Sequence, residues 1–143
     1  MPSLNEPVHV VGAILLKDDK ILIARRASHK SSPGLWEFPG GKVEPGEDSA
    51  RALVRELWEE LELEIEPLTT FDVSETLVAS LWIRLEVMVC LIRGDFKGKS
   101  SDHDSFMWVS ASELESLQWP TPDLQAVRRL AKLKSLTSLV KSL

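Results

Sequence analysis

The chain contains no tyrosine, a single cysteine and no uninterrupted apolar run long enough to cross a bilayer. Each absence removes a class of protein. With Cys90 alone no internal disulfide forms, so a reducing compartment is the default and the thiol reads as a small buried apolar group. The most apolar stretch, Leu77 to Ile92, is interrupted by Arg84 and Glu86, which rules it out as a membrane span. A basic excess is also missing. The net charge of −5 argues against coating a nucleic-acid polymer, although a small nucleotide still fits a locally basic pocket. The opening MPSLNEPVHV has no basic segment leading into an apolar one, so no signal peptide is expected and a cytoplasmic location is. No internal repeat or low-complexity linker is present. An apolar fraction of 43% and a charged fraction of 27% are ordinary for a globular protein, and 143 residues suffice for one domain, 1–143, with one good core.

What is present concentrates between Gly40 and Leu63, GGKVEPGEDSARALVRELWEELEL. A glycine pair and a Pro45-Gly46 turn lead into a segment dense in leucine and glutamate. At ~100° per residue, Ala50, Leu53, Val54, Leu57 and Leu61 fall within an arc of about 100°, an apolar stripe able to bury against a sheet. Glu56, Glu59 and Glu60 crowd an adjoining arc of about the same width. Like charges at this spacing repel unless a cation sits among them. Hard divalent ions prefer carboxylate oxygens and meet substrates through phosphate. The helix therefore reads as a metal platform, against the simpler alternative of a solvated acidic face.

Gly41, five residues, Glu47, seven residues, then Arg55-Glu56-Leu57-Trp58-Glu59-Glu60-Leu61 resembles the Nudix box, a 23-residue motif ending at Leu63. One position departs: Glu62 stands where that family usually has glycine. Such a glycine takes a left-handed conformation as the helix ends, and glutamate adopts it at a cost on the order of 1 kcal/mol. The resemblance implies an α/β fold, a mixed β-sheet sandwiched between helices. It implies hydrolysis of nucleoside diphosphates linked to another moiety, with Mg²⁺ as cofactor, Mn²⁺ as the alternative and a small nucleotide as partner. Nothing in the sequence speaks to the oligomeric state.

The same resemblance distributes roles. Arg55, Glu56, Glu59 and Glu60 are implied as catalytic, with Gly40 (through its carbonyl), Glu56, Glu59 and Glu60 as metal ligands and Glu47 as an organiser of the loop. The stretch from Arg25 to Gly41 aligns without gaps to MutT-type triphosphate pyrophosphohydrolases, and GLWEFPGGKVEPGE also resembles a CTP pyrophosphohydrolase. Arg26 then matches an arginine that contacts nucleotide, and Glu37 a carboxylate beside it. A further substrate arginine falls on Arg84, or its place on Trp82, depending on loop length. Asp102 or Asp104, in the hydrophilic loop GDFKGKSSDHD, matches an acidic residue that helps the metals or the attacking water. Asp123 falls where relatives read the base, and Asp123 or Thr121 is also placed to cap the last helix, the two roles being compatible. Signals of NADH, coenzyme A, ADP-ribose and dinucleoside-polyphosphate members are absent, the lack of tyrosine among them. The expected reaction is therefore cleavage of a nucleoside triphosphate to monophosphate and pyrophosphate. An ionised Asp123 accepts only, which suits an amino group such as that of cytosine and repels uracil. A nucleotide-sugar hydrolase is the enzymatic alternative, and a non-catalytic binding module the other.

Around this centre, Val8 to Leu16 and Lys20 to Arg25 read as antiparallel strands, and Leu35 to Pro39 as a short strand after a polar loop, His29 to Gly34. Glu64 to Val73, Leu77 to Arg93 and Phe106 to Val109 read as further strands. A helical turn is expected over Ser112 to Leu117, and an amphipathic helix from Leu124 through Leu136.

Overall fold

The computed structural model describes residues 6–30 and 33–141; Ser31 and Ser32 of the expected polar loop, and the first five residues of the chain, lie outside them. Strands β1 (Val8–Lys17) and β2 (Lys20–Arg26) form the expected hairpin. Asp18 and Asp19, at φ 53° and 60°, take the positive values that two-residue turns between twisted strands require. The two strands share only the register pairs Leu16–Ile21 and Lys17–Lys20 before they part. In the opening sit β3 (Trp36–Glu37), paired with β2, and β4 (Gly40–Lys42), paired with β1. The glycine pair is thus held at a fork in the sheet.

Beyond the fork, β1 runs parallel to β6 (Leu81–Ile92), β6 pairs antiparallel with β5 (Ile65–Val78), and β2 pairs antiparallel with β7 (His103–Val109). Helix α1 (Ser49–Leu61) covers one face through Leu53, Leu57 and Leu61 against Val11, Ala13, Leu15, Met88 and Cys90. Helix α2 (Leu124–Ala131) covers the other through Val127 and Leu130 against Ile14, Ile23, Val87 and Val89. A mixed sheet lies between helices, as the sequence leads one to expect. No helix among the described residues is long and apolar enough to cross a membrane. Burial pushes the Cys90 thiol up to about 12, so it is unreactive.

Several expectations shift. Ala52 takes the place of Val54 in the buried stripe of α1, and Val54 is 38% exposed. Strand β5 continues to Val78, because the turn is made by Ala79 and Ser80 at positive φ and not by the more polar 74–76. Strand β7 starts three residues earlier than expected. Helix α2 stops at Ala131; Leu136 still reaches the core, after the chain has left the helix. A short helix α3 (Ser138–Lys141) follows, held down by Asp19, which accepts hydrogen bonds from Ser135 and from the backbone and hydroxyl of Thr137. Glu62 does adopt the left-handed conformation, at φ 50° and ψ 37°, with its N–H still bonded to Trp58 O.

Candidate active site

Asp48 caps α1 by accepting from the Arg51 N–H, which sets where the first helical turn begins. Two turns on, Arg55 becomes the hub of the carboxylate row. Its Nε and one terminal nitrogen grip both oxygens of Glu47 at 2.8 and 3.0 Å, and the latter nitrogen also donates to Lys42 O at 3.1 Å. The other terminal nitrogen donates to Glu56 at 3.0 Å and Glu59 at 3.2 Å. Bidentate pairing of this kind fixes geometry as well as charge. Those bonds hold the Glu47 carboxyl down to about 2 and raise the guanidinium further above its ordinary value. One side chain thereby ties the helix to the loop before it and to β4.

The glycines serve close approach. A Cβ on Gly41 would lie 2.3 Å from the Glu56 carboxyl carbon, and one on Gly40 would lie 1.9 Å from Val11 O. Only bare backbone lets β4 sit against β1 on one side and the carboxylate on the other. Glu60, partly buried, points into the same cleft. Burial first, then the charges of Glu56, Asp102 and Glu37, push its carboxyl up to about 8. Carboxylate oxygens of this kind are the donors a hard divalent cation prefers, although among the described residues no three acids already stand close enough together to hold one.

The cleft, about 260 Å³, gathers Arg26, Lys30, Glu37, Gly40, Gly41, Lys42, Glu60, Asp102 and Asp123 over apolar Val10, Phe38 and Leu85. Arg26 donates to both oxygens of Glu37 at 3.0 and 3.2 Å. Lys30 meets Asp102 at 3.2 Å. Asp123 is buried against Phe38, whose ring stacks on Trp119 at 5.2 Å and whose N–H bonds the Asp123 carboxyl. Burial, and next the Glu37 charge, push Asp123 up to about 8. The shift favours the protonated form, which can donate as well as accept, over the acceptor-only carboxylate. Nor does it cap α2, for it makes no side-chain hydrogen bond there.

Of the residues singled out from sequence, Arg26, Glu37, Gly40, Glu60 and Asp123 line this cleft, and Glu56 borders it at Gly41. Glu59 is held only by Arg55 and is largely exposed. Arg84 is not brought in. Strand alternation points Leu85 into the cleft and leaves Arg84 exposed on the opposite face, opposite Glu75 and His9 in register; Trp82 shares that outer face. Asp102 reaches the cleft, whereas Asp104 pairs with Arg25 at 2.8 Å outside it.

Three participants escaped the sequence reading, Lys30, Lys42 and His103. Lys30 lies in a loop with no pattern to mark it. His103 is buried and bonds Glu37 at 2.7 Å. Its signal, strand alternation back from Val109, is broken by a bulge: Arg25 pairs with Ser105 but Arg26 with His103, so Asp104 is skipped.

A family model described as the NUDIX domain matches residues 7–130. The chain is 39% identical over 115 residues to the CTP pyrophosphohydrolase of Escherichia coli K12, covering 79% of this chain and 82% of that one. It is 28% identical over 127 residues to an 8-oxo-dGTP diphosphatase of Buchnera aphidicola, covering 87% and 94%. The solution structure of the DNA mismatch repair protein MutT of methicillin-resistant Staphylococcus aureus 252 superposes with a TM-score of 0.71 at 35% identity, covering 88% of this chain and 96% of that one.

Proposed function

Because this chain belongs to the NUDIX family and is a Nudix hydrolase, we propose that it hydrolyses nucleoside triphosphates to monophosphate and pyrophosphate, with Mg²⁺ or Mn²⁺ as cofactor. The observation that carries the reading is the meeting in one cleft of Glu60, three cations (Arg26, Lys30 and Lys42) and a buried hydrogen-bonding acid, Asp123, with the Glu56 carboxylate at its border against Gly41. Acids and cations of this kind answer the two needs of phosphoanhydride hydrolysis, a place for a divalent ion and a place for phosphate oxygens.

Glu56 and Glu60, with the Gly40 carbonyl, are the groups that would hold the ion, and Glu59, sharing the Arg55 guanidinium with Glu56, is the next carboxylate in line. The bound ion supplies charge neutralisation at phosphate and a lowered pKa for the attacking water. Arg55 keeps the row in order. Arg26, Lys30 and Lys42 receive phosphate oxygens, and Phe38 with Asp123 forms the apolar, hydrogen-bonding end that takes the base.

A protonated Asp123 offers one donor and one acceptor. Cytosine presents the matching pair at N3 and its amino group, and guanine presents it at O6 and N1–H. Likeness to the CTP pyrophosphohydrolase favours cytosine, canonical or modified, with oxidised guanine second. The test is a panel of triphosphates and nucleotide sugars with Mg²⁺, resolving the phosphorus products. The expected products are monophosphate and pyrophosphate, fastest from a cytosine triphosphate. Preference for a nucleotide sugar across the panel would sink the triphosphate reading, and no turnover of any member would favour a binding module.

A further inference from the structure

One buried group in the cleft wall has no part in the chemistry described so far. His103 has only 1% of its side chain exposed, yet both ring nitrogens are engaged. Nδ1 lies 3.0 Å from Ser100 Oγ and Nε2 lies 2.7 Å from Glu37 Oε1. Ser100 Oγ also accepts the Asp102 N–H at 3.1 Å and still has its own proton to give. An ionised carboxylate only accepts, so Nε2–H donates to Glu37, and in the neutral ring Nδ1 accepts from Ser100 Oγ. Glu37 in turn holds the Arg26 guanidinium through both oxygens. The register of β2 and β7 supports the same chain of contacts, because the skip at Asp104 sets His103 directly across from Arg26. Ala27 N–H on Asp102 O, at 3.0 Å, fastens the Ser100 loop to the end of β2.

We propose that His103 is a positioning residue for the substrate: held by Ser100, it fixes the Glu37 carboxylate, and Glu37 presents Arg26 to the triphosphate. This rests on the triphosphate reading given above. The two Glu37 oxygens share a single Arg26 nitrogen, which leaves the carboxylate freedom about its terminal torsion; a further contact from a buried ring removes that freedom, and with it the entropy lost when substrate binds. The expected kinetic signature is on binding and not on the bond-breaking step.

The first measurement needs no substrate. Ring ¹⁵N spectra of the free protein should show His103 protonated at Nε2, with shifts that move in Ser100→Ala and in Glu37→Gln. An Nδ1-protonated ring, or shifts indifferent to both changes, would overturn the proposal. The second measurement is kinetic, on the best triphosphate of the panel. His103→Leu should raise KM about tenfold and leave kcat within about threefold, with His103→Gln, which restores an N–H donor, recovering part of the loss. Ser100→Ala, which leaves the buried ring in place, should raise KM about threefold and serves if the leucine variant fails to fold. In a Glu37→Gln background His103→Leu should add nothing, since its action runs through that carboxylate. Additive losses, or a fall in kcat with KM unchanged, would mark a merely structural histidine while leaving triphosphate hydrolysis intact. A wild-type protein that cleaves no triphosphate fails the functional reading instead, which the variants do not affect.

Discussion

Asp123→Asn should make the protein more stable at neutral pH, and the gain should grow with pH. The carboxyl is 8% exposed and sits at about 8 against an ordinary 3.8. Its folded pKa is raised, so the folded state keeps a proton that the unfolded state releases above 3.8. The wild type is therefore at its best, as far as this group is concerned, below pH ~4. It loses stability as pH rises toward 8, at up to about 1.4 kcal/mol per pH unit for one proton. Across the window the limit is roughly 5 kcal/mol, and water penetration and relaxation bring the expected difference to roughly 2–4 kcal/mol at pH 8. Asparagine matches the shape, keeps an acceptor for the Phe38 N–H and does not ionise. Titrating groups away from the cleft are common to both proteins and cancel in the comparison, and the coupled neighbours are Glu37 and Arg26. The assay is urea unfolding of both from pH 4.5 to 8.5, followed by tryptophan fluorescence. The difference between the two should be smallest at the acid end and widen steadily. Parallel lines, within about 0.5 kcal/mol across the range, would refute the claim that burial keeps this acid protonated.

Other outcomes are equally specific. Glu56→Gln and Glu60→Gln should each lower turnover ~10- to 100-fold with circular dichroism unchanged, and should abolish any rise in melting temperature on adding Mg²⁺; wild-type turnover at limiting Mg²⁺ in both would discard the metal-platform reading. Gly41→Ala should displace the Glu56 carboxylate, which would lie 2.3 Å from the new Cβ, and cut activity at least tenfold; an equally active variant would show that the close approach is dispensable. The Glu47 carboxyl is lowered to about 2, so its contribution is present above its ordinary 4.5 and is lost as pH falls toward 2. Glu47→Gln should accordingly flatten the acid limb of the stability curve, readable by unfolding between pH 5 and 2.

Much of this was legible because the box carries its geometry in its spacing. The three glutamates, the arginine and the glycine pair recur at intervals that one helix and one strand translate directly into contacts. Arg84 shows where that legibility ends. Alternation along β6 does put Arg84 with Trp82 and opposite Leu85, but which of the two faces meets the cleft is set by packing across the sheet, which alternation does not encode. The turn before β6 used Ala79 and Ser80, residues with no turn signature, so nothing local marked it. His103 was hidden by a bulge that breaks strand alternation. Asp123 was placed in the cleft by sequence, yet its proton was not, since a pKa depends on what surrounds the group and no linear pattern encodes burial.

The parallel pairing of β1 with β6 also bears on how the chain is made. Val8 finds its partner in Ile83, 75 residues later. At ordinary synthesis rates β1 emerges about 4–15 s before that partner does. During that interval one of the most apolar strands of the protein has an unsatisfied edge. The nearby hairpin partner gives little relief, since β2 meets β1 through only two register pairs. Closure of the sheet is thus a late event governed by a long loop, slow by the topology itself. The nascent chain is most open to aggregation, and most in need of a chaperone, in the span of synthesis between the Nudix helix and Ile92. Ser135 and Thr137, synthesised later still, fasten back to Asp19 in the turn between β1 and β2.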